Sequence, residues 1–148
     1  MKFDFSTLLL ISFIIFQSCQ EDCGECFTPP NLFRFEIVDK ASGENVFTNE
    51  TYSFSDIEVE NLLEGNEATF TFIDENNINI IRFQDIGWET EEVKYALQLD
   101  GVEIFTLYVD AVAKSEDCCT FTEYREVMLE GAEFELDPNT EIYKILLE

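Results

Sequence analysis

Histidine is absent from the 148 residues. That one absence removes Ser-His and Cys-His nucleophilic catalysis, histidine general bases and histidine-ligated zinc. Basic residues are scarce too: 8 Lys and Arg stand against 32 Asp and Glu, a net charge of −24. Phosphate recognition needs clustered cations, so nucleic-acid binding is excluded and docking on anionic lipid is disfavoured. A cationic or neutral partner, or divalent cations, would suit such a surface. More simply, acidity keeps an exported protein soluble. An apolar run long enough to cross a bilayer is also missing. The stretch from Leu8 to Phe16 covers about nine residues, interrupted by Ser12, where a spanning helix takes roughly 20. No long segment with a 3.6-residue period appears anywhere.

What the chain does have begins at its start. Lys2 followed by the Leu8–Phe16 run reads as a secretory signal peptide over residues 1–18. Ser18 is the small side chain that a signal peptidase accepts before the scissile bond, and Cys19 follows it directly. A cysteine so placed resembles the lipobox of bacterial lipoproteins, in the looser Bacteroidota form that tolerates Phe16 and Gln17. The resemblance implies diacylglycerol on the Cys19 sulfur, a palmitate-type anchor and cleavage before Cys19. Removing residues 1–18 takes away one base, Lys2, and one acid, Asp4, so the charge of −24 is unchanged. A domain of ordinary size remains, rich in phenylalanine and tyrosine.

The mature chain reads as a tether over residues 19–31 and one domain over 32–148. Thr28-Pro29-Pro30 is a stiff extended linker. Phe33, Phe35 and Ile37 alternate with Arg34, Glu36 and Val38, the period of a strand, and Ala41 to Asn45 is a turn. The alternation from Tyr52 to Glu60 slips near Asp56, as at a bulge or bend between two short strands. Phe70–Ile73 and Ile78–Ile81 flank Asp74-Glu75-Asn76-Asn77 as a hairpin with a four-residue loop. Tyr95–Leu99 and Val102–Val109 are joined by Asp100-Gly101, a pair suited to a two-residue turn with both residues at positive φ. Thr120–Met128, Ala132–Leu136 and Glu141–Leu147 favour strand, although Glu123–Glu130 also suits a short helix. The fold expected is all-β: one antiparallel, immunoglobulin-like sandwich of seven to nine short strands.

With Cys19 lipidated, Cys23, Cys26, Cys118 and Cys119 remain, and an even number in an exported chain marks disulfides. Three pairings exist. One joins the adjacent Cys118 and Cys119 and needs a distorted peptide. The other two clamp the Cys23-Gly24-Glu25-Cys26 turn to the Cys118-Cys119 dipeptide, and the sequence does not choose between them. Cys-Gly-x-Cys superficially looks like a thioredoxin-type site, but Thr-Pro-Pro is a poor start for the helix that lowers the first thiol's pKa. A four-cysteine zinc site usually pairs two Cys-x-x-Cys units. The clamp is therefore the expected role. Only Gln20, Glu21 and Asp22 separate it from the anchor, at most roughly 14 Å of extended chain.

The lipobox, Cys-x-x-Cys, Pro-Pro, the FRFEIVDKASGENVF stretch and Cys118-Cys119 together resemble small Bacteroidota-type lipoproteins, a likeness that brings no activity with it. In such lipoproteins, acids soon after the lipidated cysteine resemble an export signal for the outer surface. Gln20-Glu21-Asp22 implies surface display on the outer membrane in preference to a periplasmic orientation.

Other candidates carry plainer readings. Asp74–Asn77 and Asp137–Thr140 offer oxygens on turns, as calcium prefers, but are ordinary turn sequences. Glu116-Asp117 reads as a solvated turn. Trp88 could be an aromatic platform for a sugar ring, although burial is the expectation for a lone tryptophan. The function expected is a non-enzymatic, membrane-anchored envelope lipoprotein that binds a protein or glycan partner, without cofactor or metal. The alternatives are a hydrolase with paired carboxylates, or a thiol-redox or metal protein. Partner and oligomeric state are left open.

Overall fold

A computed structural model describes residues 26–148. Within them, eleven strands build two sheets: β1 Cys26–Phe27, β2 Phe33–Asp39, β3 Ile57–Asn61, β4 Asn66–Glu67, β5 Thr71–Ile73, β6 Ile80–Phe83, β7 Glu91–Leu99, β8 Val102–Glu116, β9 Cys119–Glu130, β10 Glu133–Leu136 and β11 Ile142–Leu147. The first sheet runs in the order β1-β9-β8-β7-β3-β4, the second β10-β11-β2-β6-β5. The protein is an all-β sandwich.

Strand alternation builds the space between the sheets. Phe33, Phe35 and Ile37 of β2, with Ile81 and Phe83 of β6, face Val59 of β3, Val93, Leu97 and Leu99 of β7, and Phe105, Leu107 and Val109 of β8. The side chain of Phe35 is fully buried, and its ring meets Phe105 at 4.8 Å, Tyr143 at 5.3 Å and Phe83 at 5.5 Å. The Asp100-Gly101 turn has both residues at positive φ, 50° and 73°, and sets Leu99 opposite Val102. A second such turn, Asp117-Cys118 at φ 47° and 69°, closes β8 onto β9.

Several expectations change in the structure. The sheets are mixed, not purely antiparallel: β1 runs parallel to β9, and β11 parallel to β2. A period of two tells which face a residue takes, not which way its neighbour runs. Strand number rises above seven to nine because β1, β4 and β5 are only two or three residues long. Nor are all strands short, since β8 has fifteen residues and β9 twelve. The possible helix over Glu123–Glu130 is strand.

The slip near Asp56 is a 3-10 turn, Phe54–Asp56, ahead of β3. The Asp56 carboxylate accepts the Ser53 backbone N–H at 2.7 Å and the Ser53 hydroxyl at 2.8 Å. These bonds hold its pKa below the usual carboxylate value. The Phe70–Ile81 hairpin forms, but its loop is longer than four residues. Ile73 pairs with Ile80, and a 3-10 turn at Glu75–Asn77 fills the gap, with Asn76 at φ 55°.

The first sheet's outer face is acidic. Glu58 and Glu60 of β3 are exposed there, and Glu92, Asp110 and Glu126 gather around Tyr108, where burial first and these charges second raise the phenol's pKa. At the β3–β4 edge, Glu60 lies directly opposite Glu67, an unfavourable like-charge pair. Glu67→Lys is therefore expected to raise the urea midpoint by roughly a few tenths of a molar, a gain that shrinks as salt rises.

Candidate functional site

Cys26 sits directly opposite Cys119 in the short parallel ladder of β1 and β9. Their Cα atoms are 4.5 Å apart and a disulfide joins them. Cys118 is disulfide-bonded as well, so the adjacent Cys118–Cys119 pairing is excluded. A sulfur spent in a disulfide is no thiolate for zinc or for nucleophilic attack. Cys19 and Cys23 lie outside the described residues.

The bond fixes the chain that follows it. The Thr28 backbone N–H donates to the Thr120 carbonyl at 2.9 Å, and the Asn31 N–H donates to the Tyr124 hydroxyl oxygen at 2.9 Å. Tyr124 stands edge-on to Phe33 at 5.7 Å. Burial raises its pKa, which keeps it a neutral phenol. Pro30 is buried, while Phe27 beside the disulfide remains 58% exposed.

Across from Phe27, the loop between β6 and β7 presents Trp88. Ile86 is buried and anchors the loop in the core. Gly87 is buried at φ +94°, a backbone conformation that an L side chain rarely adopts. A Cβ placed on it would lie 2.7 Å from the Tyr124 hydroxyl and 3.0 Å from a Thr122 methyl carbon. Instead the Gly87 carbonyl accepts the Thr122 hydroxyl at 2.6 Å, and its N–H donates to Glu91 Oε1 at 2.6 Å. The indole N–H of Trp88 donates to the Gln84 carbonyl at 2.9 Å. With its polar atom satisfied and its loop fixed, the ring is 56% exposed. The expectation of burial is thus overturned.

Phe27 and Trp88 stack with centroids 6.0 Å apart and planes 26° from parallel. They line a groove of about 330 Å³ together with Pro30, Ala113, Thr28, Ser115 and Thr120. Lys114, also lining it, is ion-paired with Glu123. That hydrogen bond is the main cause lowering the Glu123 pKa, so the carboxylate stays charged. A fixed aromatic surface beside hydroxyls can stack on the C–H face of a pyranose while the hydroxyls exchange hydrogen bonds with its rim.

A second groove, about 390 Å³, lies beside β3 and β4 among Glu58, Glu60, Glu67, Asn66, Gln98 and the half-buried Phe70. It lacks an exposed planar pair. At the other turns the acids serve the backbone: Asp137 Oδ1 accepts the Asn139 N–H at 2.8 Å, the principal cause of its lowered pKa.

Trp88 was legible as a candidate, but its partner Phe27 was not. The only signal was position: an aromatic residue immediately after a clamped cysteine cannot follow its side chain far into the core. No family model, curated protein or solved structure matches this chain.

Proposed function

We propose that the protein is a non-catalytic, lipid-anchored binding module of the bacterial cell envelope, held in the outer membrane through Cys19, that takes a glycan in the Phe27–Trp88 groove. The observation that carries the binding reading is the stacked, exposed aromatic pair, held on both sides, in a groove also lined by Thr28, Ser115 and Thr120. Of the two partner classes expected, protein or glycan, this groove suits the glycan: its aromatic wall is uncharged and its volume of about 330 Å³ suits a short oligosaccharide segment. The anchor rests on the lipobox, and surface display on the acids that follow Cys19. With Cys26 bonded to Cys119, the remaining clamp assignment pairs Cys23 with Cys118.

Trp88 is the only tryptophan, so its emission reports on this groove alone. A soluble Cys19→Ser form, titrated with a panel of neutral oligosaccharides, is expected to show a saturable emission change with at least one of them. Trp88→Ala is expected to abolish that binding, measured by calorimetry, at unchanged far-ultraviolet circular dichroism. Silence across the panel, or full binding by Trp88→Ala, overturns the glycan reading. Separately, Cys19→Ser should leave the membrane fraction when expressed with its own leader; continued membrane association overturns the anchor.

A further inference from the structure

The remaining free surface of the first sheet is an edge. Along one side β9 pairs with β8 from Cys119 to Glu130. On its other side β1 covers only Cys119 and Thr120. From Glu123 to Glu130, no strand among the described residues pairs with that edge. The other three sheet ends are blunted by length: β4 has two residues, β5 three and β10 four. Short edge strands are one protection against unwanted pairing, with charged side chains and bulges among the others. Strand β9 is not short, and a bulge opposite Asp110 and Ala111 bends the strand without covering it. Indeed β1 already shows a strand adding to this same edge.

We infer that β9 is a docking edge for an extended, basic segment of a partner protein, which continues the lane that β1 opens. Backbone hydrogen bonds to Glu123–Glu130 would supply the pairing. Side chains would set the partner's character. Glu123, Glu126 and Glu130 lie along the strand, and Asp110 stands directly beside Glu126. Two bases stand there, both at Glu123: Lys114 is ion-paired with it and Arg125 lies within 4.0 Å, so Glu126, Glu130 and Asp110 would draw the partner's cations. Val127 and Met128, both 39% exposed, would meet apolar residues placed between the partner's cations. A second copy is the wrong occupant. It would bring another charge of −24, and two-fold antiparallel pairing would set the same glutamates against each other. This inference is independent of the groove and its ligand.

The test uses the soluble Cys19→Ser protein and a blocked octapeptide alternating Lys with Val. Hydrogen exchange followed by mass spectrometry is expected to slow by about tenfold in Glu123–Glu130 on adding the peptide. The β3–β4 region, equally acidic, should be unaffected. The same peptide N-methylated at alternate residues keeps its charge but loses the strand hydrogen bonds, and should give no protection. Glu126→Lys combined with Glu130→Lys should abolish the protection as well. Equal protection by the N-methylated peptide, or protection spread over all acidic regions, reduces the effect to electrostatic adhesion and overturns the proposal. So does a slowly exchanging β9 edge in a peptide-free sample that sediments as a dimer, since the occupant is then a second copy.

Discussion

Complete reduction of the cysteines is expected to lower the unfolding free energy by about 4–5 kcal/mol and to abolish binding in the aromatic groove. The Cys26–Cys119 bond spans 93 positions, and a loop of that size confines the unfolded chain strongly in the chain-entropy model. Replacing Cys26 and Cys119 by Ala while the Cys118 bond persists should cost far less, because the proposed Cys23–Cys118 bond would still close almost the same loop. The groove is lost in the fully reduced protein for a local reason. Strand β1 has only two residues, too few to hold Phe27 against Trp88 without a covalent tie. Urea unfolding of oxidised and reduced protein, followed by Trp88 emission, measures both effects. A midpoint indifferent to reductant would refute the stabilising role of the clamp.

Phe35→Ala is expected to cost about 3–5 kcal/mol. Phe35 belongs to the second sheet, and the Phe105 ring it touches belongs to the first. Removing it opens a cavity at the junction between sheets, with three aromatic neighbours held by their own strands and unable to collapse inward. Against a typical domain stability of about 5–15 kcal/mol, such a loss leaves little margin. Phe54→Ala provides the contrast. That residue is 58% exposed and touches Phe70 and Phe72 only at the rim, so its loss should stay within about 1 kcal/mol. Equal losses in the two variants, measured by denaturant unfolding, would contradict this division of the phenylalanines.

That division also shows how far the sequence could be read. Alternation through Phe33, Phe35 and Ile37 was enough to place a strand and its buried face. Asp100-Gly101 was enough to place a tight hairpin, because few other residue pairs accept positive φ twice. Neither says which strand lies alongside. The parallel pairing of β11 with β2 joins residues more than a hundred positions apart, and local propensity carries no information about it. Asp117-Cys118 forms the same kind of turn as Asp100-Gly101; Glu116-Asp117 marked a turn there, but without glycine nothing marked it as a tight hairpin. In the site, a disulfide between the Cys23–Cys26 turn and the Cys118-Cys119 dipeptide was expected from cysteine number, and Cys26–Cys119 is one. The choice of partners was not legible, since it depends on the register that sets Cys26 opposite Cys119. Trp88 misled because a lone tryptophan is usually sheltered. Here the Gln84 carbonyl satisfies its N–H and Gly87 turns the ring outward, and neither contact is encoded in the residues beside it.

The disulfide at the first described residue also decides how the molecule bears a load. A pull that reaches Cys26 from the N-terminal side passes through sulfur into Cys119 at the start of β9. From there it spreads along the ladder between β9 and β8, whose bonds share the strain instead of parting one at a time. The segment from Phe27 to Asn31 stays slack. Under the anchoring proposed above, tension on the tether would leave the two aromatic rings beside it undisturbed.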